Sequence, residues 1–402
     1  MGGKSRTRRA LLRAVGIAGI AGLAGCTGGD SSDDSQPAEG PAESGESPTP
    51  GATAGNGGSG EQSWRLKDGT AGRAGSNTAM SGPTDQPSVE ELYAPGTADD
   101  VNGEPVFEGG QFYLFGDERL VAVSADGEQQ WEFGVSLTTA IDTTPAVRDG
   151  TVYFAGQSTL VAVSEGERQW AESVRPTSEP VVTEDALYVA VPGAVRSYTL
   201  DGEQRWEQTV DGAVSRLAVD GETVYHAVTR SFDPNELYAR NVDDGSVDWS
   251  TQAGAFDPGP VAANGTVYGT RDVDDGTAVV AISDGTVQWE SDPLSFSNRY
   301  PVVADETVYM AGNTVQAFDV ADGSPRWDSA YVPTSNNLAG LQPRVDADSI
   351  YLPEGPSLVA IDRETGERRW SVEVSDDQFA SAGFAPVGGR IYVADQVLYE
   401  LS

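Results

Sequence analysis

Ala360-Ile361-Asp362-Arg363-Glu364-Thr365-Gly366-Glu367-Arg368-Arg369-Trp370 holds the pattern that decides the fold. Its glycine stands four residues before its tryptophan, and the same offset recurs at Gly127/Trp131, Gly166/Trp170, Gly202/Trp206, Gly245/Trp249, Gly285/Trp289 and Gly323/Trp327. The successive tryptophans are 39, 36, 43, 40, 38 and 43 residues apart, and a period near 40 is a signature of propeller blades. Asp-Gly between two β-rich runs makes a tight hairpin turn, because glycine accepts the positive φ that such turns require.

A second signal lies upstream in each unit, where Tyr113, Tyr153, Tyr188, Tyr225, Tyr268, Tyr309, Tyr351 and Tyr392 follow short apolar runs such as Pro180-Val181-Val182. Turn dipeptides, among them Asp149-Gly150 and Asn264-Gly265, stand just before the tyrosine strand. Each unit therefore reads as four strands: a Pro-Val-Val strand, a Thr-Val-Tyr strand, a Leu-Val-Ala strand and a tryptophan strand. There are eight tyrosines and only seven repeat tryptophans. The last unit stops after Tyr399-Glu400-Leu401, where every other unit makes its glycine turn. Residues 88–95 match the tryptophan strand in pattern but lack the preceding glycine, and a strand that arrives from elsewhere in the chain needs no hairpin. The expected fold is all-β: an eight-bladed β-propeller of four-stranded antiparallel blades, its ring closed by an N-terminal strand in the C-terminal blade. That closure leaves no open ring.

The quoted stretch resembles the tryptophan-docking motif of the PQQ-repeat propellers, A-x-D-x-x-T-G-x-x-x-W, a family shared by quinoprotein dehydrogenases and BamB-type lipoproteins. Phe318-Asp319, Asp322-Gly323 and Trp327 keep part of it, as do Ala281, Asp284-Gly285 and Trp289. The resemblance spans residues 64–402, with Trp64 to Asn77 similar to the family's aromatic, glycine-rich opening segment. It implies that Trp131, Trp170, Trp206, Trp249, Trp289, Trp327 and Trp370 are structural and pack between neighbouring blades, and large buried aromatic area is consistent with that role.

Ahead of the repeats, Lys4, Arg6, Arg8, Arg9 and Arg13 precede every acidic residue, and a short apolar run follows, as in an export signal. Arg8-Arg9 resembles a twin-arginine signal, and Leu23-Ala24-Gly25-Cys26 resembles a lipobox in which Cys26 takes the lipid. Residues 1–26 are thus read as signal, 27–63 as a Gly/Ser/Pro-rich acidic linker that lacks the apolar surface to fold, and 64–402 as the propeller. The implied location is the extracytoplasmic face of the cell membrane.

Acidic residues number 62 against 25 basic ones, a net charge of −37, which repels nucleic acid. With two lysines in the whole chain, this is the surface habit of proteins from saturated-salt organisms such as haloarchaea, where screening acts within about 3 Å. Asp243-Asp244 and Asp272 to Asp275 are assigned to surface solvation, and Asn264 to its hairpin turn. One cysteine and one histidine exclude an internal disulfide and a Cys/His zinc cluster. His226 is read as a packing substitution.

Three functions remain open. The preferred one is a lipid-anchored protein-binding or scaffolding module with a membrane or cell-surface protein partner, no catalytic residue, no metal and no cofactor. The long connections on one face supply its candidate binding residues: Arg216, Phe232, Phe256, Phe296, Arg299, Tyr300, Tyr331, Arg344 and Phe379. The same residues would equally serve to plug the funnel of the ring. A dehydrogenase using PQQ with calcium is the alternative that the family name suggests, although the vicinal cysteine pair of many alcohol-oxidising members is missing. A solute-binding sensor using the central channel is the third.

Overall fold

The computed structural model describes residues 63–66, 68–94, 101–116, 119–135, 144–214, 216–230, 235–252, 256, 259–294, 301–312, 314–329, 343–374 and 383–402, all within the unit Ala52–Ser402. The signal and lipidation positions Arg8, Arg9 and Cys26 lie outside them.

The described strands form eight four-stranded antiparallel sheets. After β1 (Val89–Tyr93), which belongs to the last blade, the first blade runs from the axis outward as β2 (Asn102–Glu108), β3 (Gln111–Phe115), β4 (Arg119–Ser124) and β5 (Gln129–Gly134). Six blades follow in chain order, each from inner to outer strand: β6 (Ala146–Arg148) to β9 (Glu167–Glu172), β10 (Val181–Val182) to β13 (Gln204–Thr209), β14 (Leu217–Asp220) to β17 (Val247–Thr251), β18 (Val261–Ala263) to β21 (Thr286–Glu290), β22 (Val302–Ala304) to β25 (Pro325–Asp328), and β26 (Arg344–Val345) to β29 (Arg368–Glu373). The eighth is β30 (Gly383–Val387), β31 (Arg390–Asp395) and β32 (Val397–Leu401), completed on its outer edge by β1. Val89 faces Leu401 and Glu90 faces Glu400 across that junction. Inner strands neighbour one another around the ring, and β30 meets β2 to close it.

The repeat has a plain packing reason. In seven blades the tyrosine of the second strand and the tryptophan of the fourth lie opposite the same residue of the third: Ala122, Ala162, Ser197, Ala239, Ala281, Ala317 and Ala360. A small side chain in the middle of the row lets the two rings lean over it. Their centroids are 5.9–6.1 Å apart in all seven, within the range of favourable aromatic pairs. Directly after each tryptophan row the register slips by one residue, a bulge that leads into the glycine turn.

Each tryptophan also reaches the next blade. Gly202 lies over the Trp170 ring, Gly245 over Trp206, Gly323 over Trp289 and Gly366 over Trp327. These glycines have φ of 71–90°, so two requirements coincide: a left-handed turn and no Cβ beneath the ring. Trp170, Trp206, Trp289 and Trp327 donate their Nε1–H to carbonyls of the same turns, those of Leu200, Val242, Val320 and Arg363. The core is correspondingly a set of seams between neighbouring blades, as where Val106, Tyr113 and Phe115 of the first meet Val147, Val152 and Phe154 of the second.

The eighth blade departs from the row for a visible reason. Glu400 stands where the others carry alanine or serine, and Glu90 where they carry tryptophan, so Tyr392 turns instead to Phe112, 4.3 Å away. Gly127 correspondingly sits over Leu92 of β1. Trp370 has no following glycine turn and donates to the Pro83 carbonyl at 2.9 Å.

Candidate functional site

The inner strands present their outer edges to the axis, where unpaired backbone groups would be left without partners. Residues 64–80 supply partners. The N–H groups of Phe107, Val147, Val219, Ala262, Val303 and Val345 donate to the carbonyls of Trp64, Arg65, Ala71, Gly72, Ala74 and Gly75, at 2.7–3.0 Å. These six donors occupy one equivalent register position, the residue after the one facing the repeat tyrosine. The equivalent residue of the eighth blade is Pro386, which has no N–H to satisfy. The segment therefore visits the first, second, fourth, fifth, sixth and seventh blades in chain order and stoppers the ring at the end of the inner strands, the face of the tight turns.

Above the stopper lies a cluster of buried charge. Two residues before the tyrosine-facing position, the blades carry Glu104, Thr144, Glu179, Arg216, Gly259 and Gly383 at equivalent places. The glycines make room. A Cβ at Gly259 would meet the Arg216 stem, and one at Gly383 the Glu104 backbone. The seventh blade adds Arg344 and the stopper adds Asp68 and Arg73, so that three guanidinium groups and three carboxylates meet among the described residues. Asp68 accepts Arg216 at 2.6 Å, Arg344 at 3.0 Å and Arg73 at 3.5 Å. Glu179 holds Arg73 at 3.2 Å and Arg216 at 3.5 Å. Glu104 pairs with Arg344 and accepts the Nε1–H of the fully buried Trp64 at 2.5 Å. Arg344 lies between the Trp64 and Phe384 rings, 5.9 Å from each. Burial pushes the Glu104 carboxyl above its ordinary range, with Arg344 pulling the other way.

Three of the candidate binding residues are thereby corrected. Arg216 and Arg344 are not part of an exposed patch: they point inward, into the ion cluster. Phe256 is also buried, 3 % exposed, because Gly269 opens a slot on the second strand of the fifth blade that its ring fills. For these residues the filling role applies. Phe232, Phe296, Arg299, Tyr300, Tyr331 and Phe379 lie outside the described residues. Asp243, Asp244, Asp272, Asp274 and Asp275 are exposed, and Asn264, with φ of 53°, makes its turn with Gly265. His226 is fully buried, stacks on Tyr238 at 5.2 Å and accepts a hydrogen bond from Arg240 at 2.8 Å. Burial and then Arg240 lower its pKa to about 3.

Sequence reasoning missed Asp68, Arg73, Glu104 and Glu179. The signal was available in part, since charged residues at Glu104-Pro105 and Glu179-Pro180 stand against apolar strands. What it lacked was the partners, which for Glu104 and Glu179 lie at least 36 residues away, at Trp64, Arg344, Arg73 and Arg216.

The PQQ-repeat family described as Outer membrane protein assembly factor BamB matches residues 51–190, 156–266 and 252–399. The chain belongs to this family. No curated protein matches it in sequence. Among solved structures it is similar to BamB from Moraxella catarrhalis, with a TM-score of 0.55 and 14 % identity over 79 % of this chain and 99 % of that one. It is likewise similar to the quinohemoprotein alcohol dehydrogenase from Comamonas testosteroni, with a TM-score of 0.60 and 12 % identity over 85 % and 80 %. A computationally designed protein, Ika8, matches with a TM-score of 0.57 and 11 % identity over 77 % and 99 %. At these identities the likeness is one of fold.

A quinone with calcium would need axial space and oxygen ligands not already engaged. The buried acids Asp68, Glu104 and Glu179 are each engaged by arginine. Among the described residues no group of three His, Cys, Asp or Glu side chains is placed to hold a metal. Those three acids, so engaged, do not fit a calcium-bound quinone.

Proposed function

We propose that this chain is an exported, lipid-anchored propeller that acts as a protein-binding or scaffolding module at the outer face of the cell membrane, without a cofactor. The observation that carries the reading is the filled axis. A ring whose centre is taken by its own chain recognises partners through its outer surfaces, and connections held by a rigid scaffold are where such recognition concentrates. Membership of the BamB family supports the same class of role, since that description names assembly of membrane proteins. The partner is expected to be a membrane or cell-surface protein, with attachment through lipid on Cys26. Fold carries architecture and leaves the task open, so outer-membrane assembly itself is not carried over.

The test is crosslinking in cells at native salt, followed by capture of the anchored protein, for the wild type and for a variant with both Arg299→Ala and Tyr331→Ala. One recurrent membrane partner, lost in the double variant, is the expected result. If neither form captures a partner while the purified protein reduces dye with added quinone, the scaffold reading fails and the dehydrogenase replaces it.

A further inference from the structure

We infer that the axis of the ring is a carboxylate receptor, built by Arg216 of the fourth blade and Arg344 of the seventh, and that Asp68 is its built-in ligand. The inference is independent of the partner reading. Two guanidinium groups from well-separated blades converge on one side chain, at 2.6 Å on Oδ2 and 3.0 Å on Oδ1, so each carboxylate oxygen has its own donor. Arginine presents planar N–H donors matched to carboxylates, and such charge-assisted bonds are among the strongest that side chains make. The ligand belongs to the stopper rather than to the ring. Its flanking backbone is tied to the first two blades through Trp64 and Arg65 and to the fourth and fifth through Ala71 and Gly72, so the Asp68 carboxylate latches the stretch between those two sets of backbone bonds.

The charge balance says what the empty receptor would accept. Taking Asp68 away leaves the buried Arg73 and Arg344 and the mostly buried Arg216 facing Glu104 and Glu179, an excess of positive charge in a place sheltered from water. A small carboxylate restores both the charge and the two-oxygen geometry. Chloride restores only the charge. Asp68 has φ of 67°, a conformation that glycine adopts freely, so Asp68→Gly removes the side chain without straining the backbone.

The experiment uses the full-length protein and formate as the probe, exchanged for chloride at constant ionic strength. Asp68→Gly is expected to melt lower than wild type in chloride, and to gain a saturable rise in Tm of about 2–5 °C as formate replaces it, the signature of a ligand that binds only the native state. Wild type should not respond, because its receptor is filled. Asp68→Asn should respond little, since the amide occupies the same volume, and Asp68→Gly combined with Arg216→Met should lose the response. Where a variant is too unstable to melt, the refolded yield in formate against chloride gives the same reading. Equal shifts in wild type and Asp68→Gly, or no formate effect on either melting or refolded yield, overturn the inference.

Discussion

Gly366→Ala separates two costs that the repeat glycine carries together. At Gly366 φ is 74°, and at Gly265, in the Asn264-Gly265 turn, φ is also 74°. Alanine in the left-handed region costs about 1–2 kcal/mol at either position. Their surroundings differ. A Cβ at Gly265 meets nothing within 4 Å, whereas one at Gly366 falls 2.6 Å from Cε3 and 2.9 Å from Cζ3 of Trp327. The ring has little freedom to withdraw, since it packs at 6.0 Å on Tyr309 and donates to the Arg363 carbonyl at 3.2 Å. Forcing a methyl into a packed contact adds about 1–3 kcal/mol. Gly265→Ala should therefore cost about 1–2 kcal/mol and Gly366→Ala about 2–5 kcal/mol. Urea unfolding at fixed salt measures both, and a cycle with Trp327→Leu should recover most of the excess. Equal costs at the two glycines would refute the docking argument and reduce the motif to turn chemistry alone.

His226 binds no proton when native until pH falls to about 3, whereas the unfolded histidine titrates near 6.5. The stability it contributes is thus complete above about pH 6.5 and is lost as pH falls from there towards 3, by up to about 4 kcal/mol; unfolding free energies of wild type minus His226→Gln across that range should slope accordingly. Arg344→Met takes from the buried Glu104 its guanidinium partner and should cost about 3–5 kcal/mol in urea unfolding, with part recovered on adding Glu104→Gln. Phe256→Ala should cost about 3–5 kcal/mol by the same assay, as a buried aromatic does; an effect near zero would return Phe256 to the surface. In hydrogen exchange, the amides of Phe107, Val147, Val219, Ala262, Val303 and Val345 depend on the stopper carbonyls, so Trp64→Ala should speed all six together relative to the ladder amides of β3 and β4.

Most of the ring is legible in the sequence. Tryptophan rows, glycine turns and tyrosine strands are local patterns repeated often enough to define a unit, and the unmatched eighth tyrosine even located β1, expected at residues 88–95 and found at Val89–Tyr93. The candidate binding residues fared differently. Charge and aromaticity near a strand start point to an exposed patch for Arg216, Arg344 and Phe256, yet the two arginines are held by Asp68 and Glu104 from far along the chain, and Phe256 by the slot that Gly269 opens on a neighbouring strand.

The sequence by itself thus determined the blade, the number of blades and the manner of closure. Those follow from interactions between residues a few strands apart, which recur with the period and leave their mark on it. Only the tertiary structure decided what fills the axis. The stopper occurs once, it has no period, and its residues look like an irregular loop because their hydrogen-bond partners are contributed by six separate blades. A carboxylate such as Asp68 reads as one more acidic residue among 62 until the ring closes and brings Arg216 and Arg344 to it. Burial then changes its role from solvating a surface to holding the centre of the molecule shut.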